Sequence, residues 1–133
     1  MKVLNILVLI VISFLIVSCD NDDDENNDDC IGYSIGYVTS VNAPDTGNVD
    51  ETINIEVSFL VTNGCGRFER FLEAENGNIR TIEVEAKYQG CVCPCAMEIR
   101  TANYEFTANS VGEYELNFKS SSTDYIATIL TIN

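Results

Sequence analysis

Thr-Ile-Asn-Ile-Glu-Val-Ser-Phe-Leu-Val, residues 52–61, decides the fold class. Ile53, Ile55, Val57, Phe59 and Val61 occupy every second position, with Asn54, Glu56 and Ser58 between them. Successive side chains of an extended chain point to opposite faces, so this alternation predicts a strand with one buried and one solvated face. The same period returns at Ile82, Val84, Ala86 and Tyr88, at Tyr104, Phe106 and Ala108, and at Tyr114, Leu116 and Phe118. No stretch of useful length carries a helical period.

Working outward from this core, residues 33–41 and 125–132 read as further β-rich runs, and residues 67–73 as a short or bulged strand because Phe68, Phe71 and Leu72 fall out of strict register. Turn chemistry separates the runs: Ala43-Pro44-Asp45-Thr46-Gly47-Asn48, Asn63-Gly64-Cys65-Gly66, Glu75-Asn76-Gly77-Asn78 and the stretch from Asn109 to Gly112. About seven closely spaced strands joined by such loops predict an all-β, antiparallel β-sandwich. Roughly a hundred residues suffice for one modest core, at a size where covalent staples help. The domain is expected to span residues 30–133.

The 29 residues ahead of it read differently. Lys2 is followed by an almost unbroken apolar run over residues 6–17, too short for the ~20 apolar residues of a transmembrane helix and suited to a secretory signal over residues 1–18. Ser18 is small but Ile16 is bulky, which disfavours ordinary signal cleavage between small residues. Residues 20–29, Asp-Asn-Asp-Asp-Asp-Glu-Asn-Asn-Asp-Asp, hold no apolar side chain and are expected to be a solvated, self-repelling tether reaching ~35 Å at most. Asp20, Asp22 and Asp24 alternate as in a calcium loop, but the position that needs Gly is Glu25 and the bidentate position is Ile31.

Ile16-Val17-Ser18-Cys19 resembles the lipobox of bacterial lipoproteins. That resemblance implies that Cys19 becomes the first residue of the mature chain and carries a diacylglyceryl thioether, with palmitate or a similar acyl group on the amino terminus, making the membrane its partner through a lasting anchor. The acidic run after Cys19 resembles the export signal of surface lipoproteins of Bacteroidota, which implies display on the outer membrane. Val-Gly-Glu-Tyr-Glu-Leu-Asn-Phe, residues 111–118, resembles the approach to the sixth strand of immunoglobulin-like domains in bacterial surface proteins. It implies an immunoglobulin-like sandwich with a corner at Tyr114, whose hydroxyl would bond backbone near the preceding loop. The chain departs from antibody domains in having no Trp and in placing Leu116 two residues after that Tyr, so their inter-sheet disulfide cannot form.

The formal charge of the chain is −14, seven acids lying in residues 20–29; residues 30–133 retain fourteen acids against six bases. Phosphate backbones would be repelled, so nucleic acid is excluded as a partner class. The absence of His removes the commonest general base and every Ser–His or Cys–His pair. Glu83 with Glu85, and Glu113 with Glu115, alternate with apolar residues as solvated positions do. The chain is therefore read as a non-catalytic module without a cofactor.

The remaining chemistry lies in Cys30, Cys65, Cys91, Cys93 and Cys95. In a seven-strand antiparallel order the start of the first strand, the second-to-third loop and the fourth-to-fifth loop share one end of the sandwich, which gathers all five at the pole that carries the tether. A disulfide needs Cα atoms ~4.4–6.8 Å apart and residues two apart on a strand sit at the upper limit. Bridges out of the cluster are thus favoured: Cys65 with Cys91 or Cys93, Cys30 with another member, and one thiol free or shared between molecules. The competing reading is a thiolate site for Cu(I) or Zn, or a redox site; it is weakened by the tight C-x-C-x-C spacing, the lack of His and the absence of C-x-x-C. The loops at the far pole, residues 42–50, 73–78 and 109–112, are the expected contact surface for an unknown protein or glycan ligand.

Overall fold

The computed structural model describes residues 30–133, so the signal peptide, Cys19 and the acidic tether lie outside the described residues. Nine strands follow in order: β1 (Ile31–Gly36), β2 (Val38–Asn42), β3 (Thr46–Gly47), β4 (Thr52–Val61), β5 (Gly66–Asn76), β6 (Ile79–Gln89), β7 (Glu98–Thr107), β8 (Gly112–Lys119) and β9 (Tyr125–Ile132). One sheet runs β1-β6-β8-β9-β3 with β5 on the other edge of β6, and the other runs β2-β4-β7. The two close on each other as a β-sandwich.

The alternating positions are the core. Ile55, Val57, Phe59 and Val61 of β4, Ile82, Val84 and Ala86 of β6, and Leu116 and Phe118 of β8 are fully buried, joined by Tyr104, Phe106, Leu130 and Ile132. Burying such a side chain stabilises the fold by about 1.5–3 kcal/mol relative to leaving it exposed, which is why the two-residue period dominates the folding of this chain. Phe71 of β5 meets Tyr104 of β7 edge-on at 5.1 Å, and Tyr104 meets Phe118 of β8 at 5.6 Å, so one aromatic chain crosses between the sheets.

Three features differ from the expectation of about seven antiparallel strands. First, residues 33–41 are not one strand: β1 pairs with β6 and β2 with β4, so the chain changes sheet at Tyr37. Gly36 permits the change, because a Cβ there would lie 2.7 Å from the Phe59 ring and 3.2 Å from the Leu60 carbonyl. Second, residues 46–47 leave the expected turn to form β3, which pairs with β9. Third, two pairings are parallel, β3 with β9 and β6 with β8. The parallel run of β8 beside residues 79–82 is possible because β1 covers the same edge of β6 only from residue 84 onward.

β5 is also longer than expected, eleven residues with an irregularity between Phe68 and Arg70. That irregularity resets the alternation, which places Phe71, Glu73 and Glu75 on one face. The outer face of β6 is less solvated than its alternation implies: Glu83 and Glu85 are half-buried, Glu83 held by Lys119 at 2.6 Å and Glu85 by Arg70 at 2.7 Å. No helix among the described residues is long and apolar enough to cross a membrane.

Candidate functional site

The strand directions give the sandwich two chemically distinct ends. Cys30 precedes β1, Cys65 precedes β5, and Cys91, Cys93 and Cys95 occupy the β6–β7 connection, all at one pole. Cys30 is bonded to Cys91 and Cys65 to Cys93, with Cα atoms 5.0 and 5.5 Å apart. Backbone bonds fasten the same junctions: Gly90 N–H donates to the Cys30 carbonyl at 2.9 Å and Gly64 N–H to the Pro94 carbonyl at 3.0 Å. Cys95 is exposed and is the free thiol among the described residues. With four sulfurs in disulfides, the thiolates needed for a Cu(I) or Zn site are consumed, and no metal-holding group of His, Cys, Asp or Glu is found among the described residues.

The opposite pole is built from three connections. Residues 43–51 carry β3 and are fixed by Asn48, whose backbone and side-chain N–H groups both donate to Glu51 Oε2, at 3.0 and 2.8 Å. Asp50, in the left-handed region at φ 60, donates its N–H to the Ala108 carbonyl at 2.8 Å and so ties this loop to the end of β7. Asn76 and Ile79 close the β5–β6 hairpin around two residues, Gly77 and Asn78, with Gly77 at φ 62. A positive φ at the first of two loop residues suits the twist of the strands and favours Gly there. Only Gly77 and Asn78 of the expected 73–78 loop are therefore free of strand, and Gly112 already begins β8.

Asn78 carries this hairpin onto β8. Its Nδ2 donates to the Glu113 carbonyl at 3.1 Å and its own carbonyl accepts from Glu115 N–H at 2.9 Å. The β7–β8 turn is closed by Tyr114: its hydroxyl donates to the Ser110 carbonyl at 3.1 Å and lies 2.9 Å from Ser110 Oγ. With the phenol proton committed to the carbonyl, the serine hydroxyl is the donor of the second bond.

A cleft of about 260 Å³ lies where these parts meet, lined by Glu75, Asn78, Arg80, Thr107, Asn109, Ser110 and Tyr114 among others. Arg80 projects from β6 on the same face as Ile82, Val84 and Ala86, so a cation continues the core face at its outer end. Its guanidinium carbon sits 4.8 Å from the Phe106 ring centroid, and its two terminal nitrogens reach Glu73 at 3.4 Å and Glu75 at 3.6 Å. Tyr104 adds a 3.0 Å hydrogen bond to the same Glu73 oxygen. Burial, the largest influence, pushes the Tyr104 hydroxyl up to about 12 despite the opposing pull of Arg80. Burial also acts to lower the Arg80 pKa, yet Tyr104 and the two carboxylates raise it above the ordinary arginine value, so Arg80 remains a cation. The cleft thus presents Arg80, already held by two carboxylates, among amides and hydroxyls.

This network was not among the residues singled out by the sequence reading. The signal was present: extending the Ile82–Val84–Ala86 period back by one step lands on Arg80.

A family model described as the ORF11 beta-sandwich domain matches residues 55–126, more than half of the chain. The chain belongs to this family. The ORF11 match runs from within β4 to the start of β9, so it contains the cleft, Tyr114 and four of the five cysteines of residues 30–133. Cys30 lies outside it, and the Cys30–Cys91 bridge ties the preceding chain to the matched region. No curated protein and no solved structure matches the chain.

Proposed function

We propose that this protein is a lipid-anchored binding module of the outer-membrane surface, held at Cys19 and working through the loops at its distal pole. The observation that carries the reading is the opposition of the two poles. The chain enters the sandwich at Cys30, on the disulfide-bonded end, while the 43–51, 77–78 and 108–111 connections meet at the other. An anchor ahead of Cys30 leaves those connections pointing away from the membrane. Loops held by a rigid scaffold are where such folds make contact, and two disulfides give this small scaffold its rigidity. The lipobox-like Ile16-Val17-Ser18-Cys19 and the acidic residues 20–29 support the anchoring and surface parts of the reading.

Metabolic labelling with radioactive palmitate, followed by membrane fractionation, tests it. The wild-type chain is expected to take up label and sediment with outer membranes, and surface proteolysis of intact cells is expected to reach it. Cys19→Ala should lose both the label and the membrane association. An unlabelled wild type, or a Cys19→Ala variant that fractionates unchanged, contradicts the anchoring.

A further inference from the structure

We infer that the distal cleft is a binding site for a single uncharged pyranose ring. The inference rests on the reading above only in taking the distal loops as the contact surface. It begins with size. A cleft of about 260 Å³ falls below the ~300–1,000 Å³ of pockets that enclose drug-sized ligands, so it takes one ring and leaves the rest of a longer molecule in solvent.

Polarity narrows the class further. Sugar hydroxyls both donate and accept, and the cleft offers both kinds of partner. Arg80 and the Asn109 amide supply N–H donors, Glu75 supplies carboxylate acceptors, and Ser110 and Thr107 supply hydroxyls. One N–H of the Asn78 amide is spent on Glu113, which fixes the amide and leaves its oxygen as an acceptor held in place. Three of these groups sit on backbone fixed by other bonds, so little ordering is required on binding.

Charge excludes the neighbouring classes. Arg67, Lys87 and Arg100 stand near the disulfides, and Arg70 and Lys119 sit at mid-sheet against Glu85 and Glu83. The distal end retains Arg80 alone, itself shared by Glu73 and Glu75, while Asp45, Asp50 and Glu51 stand in the connections around β3 and Glu113 at the start of β8. That field disfavours phosphates, sulfates and uronic acids. A basic peptide is disfavoured at the cleft itself, because a cationic group entering it would meet Arg80, which already occupies the side of Glu75, the one carboxylate of the lining. An uncharged polyol is the class that satisfies both conditions.

The test is a titration of the isotopically labelled, lipidated full chain in detergent micelles with glucose, N-acetylglucosamine and glucuronate, followed by amide NMR. The neutral sugars are expected to move the resonances of Gly77, Asn78, Ala108, Asn109 and Ser110 saturably, with millimolar midpoints. Glucuronate should bind roughly tenfold more weakly at low ionic strength, and the gap should narrow with salt. Asn109→Ala and Glu75→Gln should each weaken the neutral sugars about tenfold, while unfolding and disulfide content stay as in wild type. Neutral sugars that move nothing, that move residues at the disulfide pole, or that bind no better than glucuronate overturn the assignment. Palmitate uptake of the same preparation is scored separately, so a labelled protein that ignores sugars overturns the cleft alone, and an unlabelled one that binds them overturns the anchor alone.

Discussion

The Tyr104 hydroxyl donates a 3.0 Å hydrogen bond to Glu73 Oε2, joining β7 of one sheet to β5 of the other at the rim of the core. The phenol is almost wholly buried and the carboxylate is half-exposed, so the bond lets a buried hydroxyl reach a partner that water still solvates. Tyr104→Phe should therefore cost about 1–2 kcal/mol in urea unfolding, near the range for hydrogen bonds to charged groups but reduced by the exposure of Glu73.

The same bond has a pH signature. A hydroxyl raised from the ordinary 10.0 to about 12 keeps its proton longer in the folded than in the unfolded chain. Its contribution is fully present below pH 10 and is lost as pH climbs from 10 to 12. Urea midpoints measured across that window should fall more steeply for wild type than for Tyr104→Phe. Parallel curves would contradict the burial of this group.

The two disulfides should differ in weight. They close separations of 61 residues for Cys30–Cys91 and 28 for Cys65–Cys93. Loop-closure entropy assigns them about 4 and about 3.5 kcal/mol, so the Cys30→Ser, Cys91→Ser double variant is expected to unfold at lower urea than the Cys65→Ser, Cys93→Ser one. Peptide mapping without reduction should recover these two pairs and no other.

Cys95 should be the thiol that reacts in the native state, since it is exposed while its neighbours in the cluster are bonded. Iodoacetamide applied without denaturant should label Cys95 and no other cysteine of residues 30–133, and Cys95→Ser should abolish that label. A labelled Cys91 or Cys93 would show that the pairing is different.

Gly36→Ala is expected to destabilise by about 1–3 kcal/mol, because the new methyl must displace the buried Phe59 ring just where the chain passes from one sheet to the other. Gly32→Ala, on the same strand with nothing within 4 Å, should be nearly neutral and serves as the control in thermal unfolding.

Local alternation made the core legible. Each inward residue expected on β4, β6, β7 and β8 lies inside the sandwich or against its core, because which side a residue faces depends only on its place in an extended chain. What alternation does not encode is the neighbour. Nothing in residues 79–82 or 115–118 announces a parallel partner, since that pairing is set by how far β1 extends along β6. The break at Tyr37 was hidden for a related reason: both halves of residues 33–41 are β-rich, and only Phe59, twenty-odd residues away in sequence, shows why Gly36 must be small. The cleft was half legible. Its turns stood out by composition and the bulge within residues 67–73 by its broken alternation, but nothing there showed that β5 runs on to Asn76 and so brings Glu75 opposite Arg80.

The Cys30–Cys91 bond also determines how the domain meets mechanical load. Tension arriving through the preceding chain reaches Cys30 and passes covalently to the end of β6, bypassing the β1–β6 ladder that would otherwise be peeled open. Since β6 is bordered by β1, β5 and β8, the pull is spread over the interior of the larger sheet. On the proposed anchoring, a shear flow acting on the far end would load the interior strands of that sheet before its edge strand.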